Sequence, residues 1–138
     1  MHQLLYVSME KHPFTKEDLE SLLKQSREKN SGLGVTGILL YYKKYFFQVL
    51  EGKKEIIFEL FRTIREDQRH FSVILVWDQA VEQRSFQDWT MAFINLNEID
   101  KSKLAGYSEF LEKRFSKEIT QQHLTLAQKL LLEFKNSL

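Results

Sequence analysis

Apolar positions along the chain alternate between short runs of strand character and longer stretches with helical spacing. Leu4-Leu5-Tyr6-Val7-Ser8 is short, apolar and partly aromatic or β-branched, and it stops before the turn-like Lys11-His12-Pro13, so it reads as a first strand. Thr15 offers a helix cap with Asp18 three residues on, and Leu19, Leu22, Leu23 and Ser26 follow at helical spacing, predicting a helix to about Asn30. Gly32, Gly34 and Gly37 break that pattern. Val35 to Tyr42 and Tyr45 to Glu51 are β-rich runs joined only by Lys43-Lys44, which predicts an antiparallel hairpin closed by Gly52. Ile56, Ile57, Leu60, Phe61 and Ile64 line one side of a second helix, with Lys54, Glu55, Glu59 and Arg62 mostly on the other. That helix ends near Asp67-Gln68-Arg69-His70. Phe71 to Trp77 reads as a fourth strand, Asp78 to Ser85 as a polar connection, and Phe86 to Ile94 as a fifth strand interrupted by Asp88. Two further helices are expected at roughly 101–114 and 117–135, the second with Ile119, Leu126, Leu130, Leu131 and Phe134 on a broad apolar side.

The strand–helix–strand–strand–helix–strand order is that of a split-βαβ, ferredoxin-like α+β fold with both helices on one face of the sheet. The fifth strand and the helical tail are additions to it. In this topology the first and third strands are central neighbours. Period two sends Phe46, Gln48 and Leu50 to one face and Phe47 and Val49 to the other, so the third strand is apolar on both sides. One layer of helices covers one face. The terminal helices must therefore wrap under the bare face or leave apolar surface for a second chain.

The length of 138 residues, 43% hydrophobic and 28% charged, suits one domain with its own core. No run approaches the roughly 20 apolar residues of a membrane span, and Met1-His2-Gln3 does not begin a secretory leader, so a cytoplasmic protein is expected. The absence of cysteine removes disulfides, thiolate metal sites and cysteine catalysis together. A formal net charge of +1 supplies no long-range field for phosphate backbones, and the pairs Lys43-Lys44 and Lys53-Lys54 read as solvated turns, so no direct nucleic-acid binding is expected.

Gln48 is the anomalous residue, because a buried amide costs free energy unless its donors and acceptor are met. Tyr6, in phase with Leu4, can meet it on the helix-covered face. The two either satisfy one another as structure or belong to a ligand site. Asn30 and Arg69-His70 are ordinary at helix ends taken singly. Together they place the carboxyl-terminal ends of two same-side helices around a polar pair, outlining a cleft for an aromatic heterocycle with Leu22 and Ile64 as apolar walls. Trp89 and Met91 are two apart and are expected to share a strand face, as core or as sensors of nearby hydrogen bonding. The glycines from Gly32 to Gly37 precede a strand and lack the setting of a phosphate loop. The four histidines have no compact ligand spacing, so no metal site is expected.

These residues resemble a BLUF domain, a sensor of blue light that uses FAD. The resemblance rests on Tyr6, Ser26-Arg27-Glu28-Lys29-Asn30, Gly34-Val35-Thr36-Gly37-Ile38-Leu39-Leu40, Phe46-Phe47-Gln48-Val49-Leu50-Glu51-Gly52, Asp67-Gln68-Arg69-His70 and Trp89-Thr90-Met91, over about residues 1 to 96. It implies noncovalent FAD, replaceable by FMN or riboflavin, with its ring between the two helices. Leu22 and Ile64 match the residues that sandwich the ring, Asn30 the one that bonds its pyrimidine edge, and Arg69 and His70 the polar end of the pocket. Lys29 and Asp67 match positions near its polar portion, and Ser26 a side chain close to the switching glutamine. The implied photochemistry draws an electron and proton from Tyr6 and leaves Gln48 rearranged, with Trp89, Met91 and the fifth strand as the route outward. The chain itself is then not an enzyme. Residues 97–138 are implied to form an extension for sheet covering, oligomerisation or output, toward a response partner or a linked effector. The competing expectation is a flavin-free interaction module.

Overall fold

The computed structural model describes residues 1–104, 107 and 127–133. Its elements are β1 (His2–Glu10), α1 (Lys16–Leu33), β2 (Thr36–Tyr42), β3 (Tyr45–Gly52), α2 (Lys54–Arg65), β4 (His70–Ala80), β5 (Ala92–Asn95) and α3 (Lys101–Leu104), with a 3-10 turn at Leu96–Glu98. The strands lie in the order β4-β1-β3-β2-β5. The first four are antiparallel and form the expected ferredoxin-like core, while β5 joins β2 in parallel and makes the sheet mixed.

Pairing carries two strands past their apolar runs. Polar residues extend β1 to His2 and β4 to Ala80 because each finds a cross-strand partner. His2 Nε2 lies 2.8 Å from Asp78 Oδ1, and Gln79 Nε2 donates to Gln3 Oε1 at 3.1 Å. Part of the expected polar connection is thus strand. Helix α1 opens on a reciprocal cap between Thr15 and Asp18 and runs one turn beyond Asn30. It ends at Gly34, whose left-handed φ of 68° lets its N–H reach the Asn30 carbonyl.

The fifth strand departs from expectation. It starts at Ala92, so neither Trp89 nor Met91 lies on a strand face. The cause is a competition for backbone groups: the Ser85 and Phe86 N–H groups are taken by the Glu51 carboxylate at 2.7 and 2.8 Å, and the carbonyls of residues 89–91 are held by α1 and β2. Those groups are unavailable to a sheet ladder.

Two cores follow from the two apolar faces. Leu4, Tyr6, Leu39, Phe46 and Leu50 pack under Leu19 and Leu23 of α1 and Ile57, Leu60 and Phe61 of α2. On the opposite face Leu5, Val7, Ile38, Leu40, Phe47 and Val49 meet Leu104, Ala127, Leu130 and Leu131. Of the two readings of the tail, the described residues show covering of the bare face. The helices expected at 101–114 and 117–135 fall largely outside the described residues; within them, 101–104 and 127–133 are helical. Among the described residues no helix is long and apolar enough to cross a membrane.

Candidate functional site

β1 and β3 place Tyr6 opposite Gln48, and both side chains emerge on the α1/α2 face. The Tyr6 hydroxyl donates to Gln48 Oε1. A register shift between Leu5 and Tyr6 in the β1–β4 pairing puts a bulge beside this pair, a device that re-aims side chains next to sites. Gln48 is 5% exposed, and its Nε2 donates to Met91 Sδ at 3.4 Å. That nitrogen carries a second hydrogen. Burial first, and then the nearby Asp67 carboxylate, push the Tyr6 pKa well above its ordinary value of 10, so the phenol keeps its proton.

Above the pair lies a cavity of about 220 Å3 between the two helices. Tyr6 and Gln48 form part of its floor, Leu22 and Ile64 contribute from opposing helices, and Ser26, Lys29, Asn30, Asp67, Arg69 and His70 also line it. Ten other sequence-predicted residues are therefore brought together with Tyr6. Met91 reaches the group from behind Gln48 rather than from the cavity wall. Trp89 is not brought in: its side chain is 42% exposed and its carbonyl accepts from the Gly37 N–H at 3.0 Å.

The polar end is already internally bonded. Arg69 donates through Nε and Nη2 to Asp67 and through Nη1 to Gln25 Oε1 at 3.0 Å, clasping α1 to the loop after α2. His70 Nε2 lies 2.5 Å from the Ile64 carbonyl, which can only accept, so that nitrogen carries a proton. Its Nδ1 bonds to Ser8 Oγ at 2.8 Å. Both nitrogens face protein partners, and His70 shapes the cavity with its ring, set edge-on to Tyr6.

The hydrogen bonds from Arg69 hold the Asp67 carboxyl below the ordinary aspartate range. A depressed folded value means the clasp contributes fully above the unfolded pKa and is lost as pH falls through the folded one. An NMR titration of the Asp67 carboxyl should thus show a midpoint below 3.8, with the clasp intact at neutral pH. A midpoint at or above that value would contradict the pairing.

Sequence reasoning missed several contributors. Gln25, Thr63 and Leu60 line the cavity from helix positions that look like plain surface or core. Phe14 packs edge-on against Phe46 at 5.0 Å, and both rings line the cavity. Glu51 is fully buried and accepts from Gln3, Ser85 and Phe86, pinning the β4–β5 connection to the sheet. A carboxylate ending an otherwise apolar strand was the available signal for it.

An α+β domain with a cleft between two helices, over a tyrosine–glutamine pair, is the class that this fold and cavity define. The family model "BLUF: Sensors of blue-light using FAD" matches residues 1–92, and the chain belongs to that family. It is a flavin-photoreceptor domain, sensory rather than catalytic. Among relatives, the photoactivated adenylate cyclase subunit beta of Euglena longa is 34% identical over 89 residues, covering 64% of this chain and 10% of that protein. The subunit alpha of Euglena gracilis is 35% identical over 83 residues, 60% of this chain and 8% of its own length. The chain thus spans about a tenth of these relatives. Among solved structures, the BLUF protein BlrB in its dark state is 31% identical with a TM-score of 0.72, covering 93% of this chain and 96% of that one. A bacterial light-regulated adenylyl cyclase is 28% identical with a TM-score of 0.73, covering 96% of this chain and 36% of that one.

Proposed function

We propose that this chain senses blue light with FAD held noncovalently between α1 and α2, using Tyr6 and Gln48 as a hydrogen-bond switch. The observation that carries the proposal is the buried Tyr6–Gln48 hydrogen bond at the floor of the cleft. The residues fit such a group. Leu22 and Ile64 would bracket a planar ring, Asn30 and the second Gln48 hydrogen would meet its polar edge, and Lys29, Asp67 and Arg69 would face its polar extension, with Ser26 beside Gln48. FMN or riboflavin, which carry the same ring system, would serve in place of FAD.

A bound flavin supplies blue absorption and, on excitation, an electron acceptor. Tyr6 is the donor because its proton already rests on a hydrogen bond to Gln48 Oε1, so loss of an electron from the phenol is coupled to proton movement along that bond. When electron and proton return, Tyr6 is again a phenol. The Gln48 amide, with an acceptor at one end and donors at the other, is left rearranged. The change leaves the site through Met91, the 89–91 segment that includes Trp89, β5 and the C-terminal helices. In this reading residues 1–96 are the photosensory domain and 97–138 an output extension. The extension would join copies of the chain or act on a response protein or linked effector, in keeping with the cyclases among its relatives.

The decisive measurement is the visible spectrum of the purified protein supplied with FAD, before and after blue illumination. Flavin bands that shift slightly to the red and relax in the dark are expected, and Tyr6→Phe should retain the bands while losing the shift. A protein that stays colourless after supply of FAD would overturn the proposal.

A further inference from the structure

All three backbone carbonyls of residues 89–91 are held from outside the segment. The Gly37 N–H of β2 donates to the Trp89 carbonyl at 3.0 Å, the Asn30 side-chain amide to the Thr90 carbonyl at 2.8 Å, and Arg27 Nε to the Met91 carbonyl at 3.0 Å. Two of these donors are side chains three residues apart on α1, and hence on one helix face. Strand pairing does not explain the arrangement, since β5 pairs with β2 only from Ala92 onward. Yet the segment carries Met91, whose buried sulfur accepts from the Gln48 amide at 3.4 Å.

A methionine side chain has three rotatable bonds and adapts to its surroundings, so its sulfur stays at one place only if its backbone does. The guanidinium of Arg27 supplies that constraint through a charge-assisted hydrogen bond, the stronger kind. Arg27 lies outside the lining of the cavity, whereas Asn30 is part of it. Replacing Arg27 therefore changes the segment and leaves the cavity wall as it is.

We propose that Arg27 is a positioning residue for the glutamine switch: by holding the Met91 carbonyl it sets the Met91 sulfur against the Gln48 amide and favours the resting orientation of that amide. The inference rests on the photosensor reading. In the return to the resting state, Gln48 must remake its contact with a sulfur that is already in place. Without Arg27 the sulfur is less well placed, and the return slows.

The test compares wild type, Arg27→Met, which keeps the aliphatic stem and removes the donor, and Arg27→Lys, which keeps a charged donor. Each is also made with Met91→Leu. The chain has three methionines, so loss of one methyl resonance in Met91→Leu assigns Met91 by NMR. In FAD-loaded protein, Arg27→Met should bind FAD with its resting spectrum and return from the lit state roughly threefold more slowly or worse. Arg27→Lys should restore much of the rate, and in the Met91→Leu background Arg27→Met should add nothing. In protein without FAD, Arg27→Met should shift the Met91 methyl resonance. An unmoved resonance, a wild-type return rate, or an effect that persists in Met91→Leu would each overturn the role given to Arg27. A wild-type protein that binds no FAD would instead sink the photosensor reading, with the methyl resonance still reporting whether Arg27 places Met91.

Discussion

Gln48→Leu is expected to leave FAD bound and to abolish the light-induced red shift. Leucine is close in length to glutamine, and the position lies among Leu39, Phe46 and Leu50, so the cleft floor is preserved in apolar form. What disappears is the acceptor for the Tyr6 hydroxyl and the donor to Met91. The unpaired Tyr6 hydroxyl costs about 1–3 kcal/mol, which the apolar packing of leucine partly offsets. The protein should therefore fold and hold its chromophore while losing the amide to which Tyr6 donates. Difference spectra before and after illumination, with a denaturant melt alongside, separate these effects. An unchanged photoresponse would defeat the assignment of the switch.

Gly37→Ala should be the most damaging small substitution in the sheet. A Cβ built at Gly37 lies 1.9 Å from the Val49 carbonyl oxygen, a backbone atom of the neighbouring strand that cannot turn aside. The β2–β3 ladder must separate or slip, and Gly37 also holds the Trp89 carbonyl. Strain at the upper end of the roughly 1–3 kcal/mol typical of overpacking, or beyond it, is expected. The variant should melt earlier, retain less flavin and lose the 89–91 anchorage together. Gly32→Ala is the control, since nothing lies within 4 Å of a Cβ there. Equal stability of the two variants would contradict the close approach.

The contrast between these glycines shows where sequence reading stops. Gly32, Gly34 and Gly37 look alike as breakers in the chain. Only the structure separates them: Gly32 sits inside α1, Gly34 takes the left-handed cap, and Gly37 admits the neighbouring carbonyl. The same holds for the fifth strand. Its apolar residues are present from Phe86 onward, but Glu51, Asn30 and Arg27 side chains and the Gly37 N–H take backbone groups of the residues before Ala92, and capture across 35 to 64 positions has no local signature.

By itself the sequence determined the four-strand, two-helix order, the two apolar faces of β3 and the misfit of Gln48, because hydrophobic period and turn chemistry are local properties. The family resemblance drew the residues of the cleft into one set, and the cleft contains all of them except Trp89 and the Met91 that stands behind Gln48. Only the tertiary structure decided which way Trp89 faces, that the described residues of the tail pack on the second sheet face, and that Arg69 and His70 are already bonded to the protein. Those outcomes depend on which distant group reaches a donor or acceptor first, and that is a matter of distance in space rather than spacing along the chain.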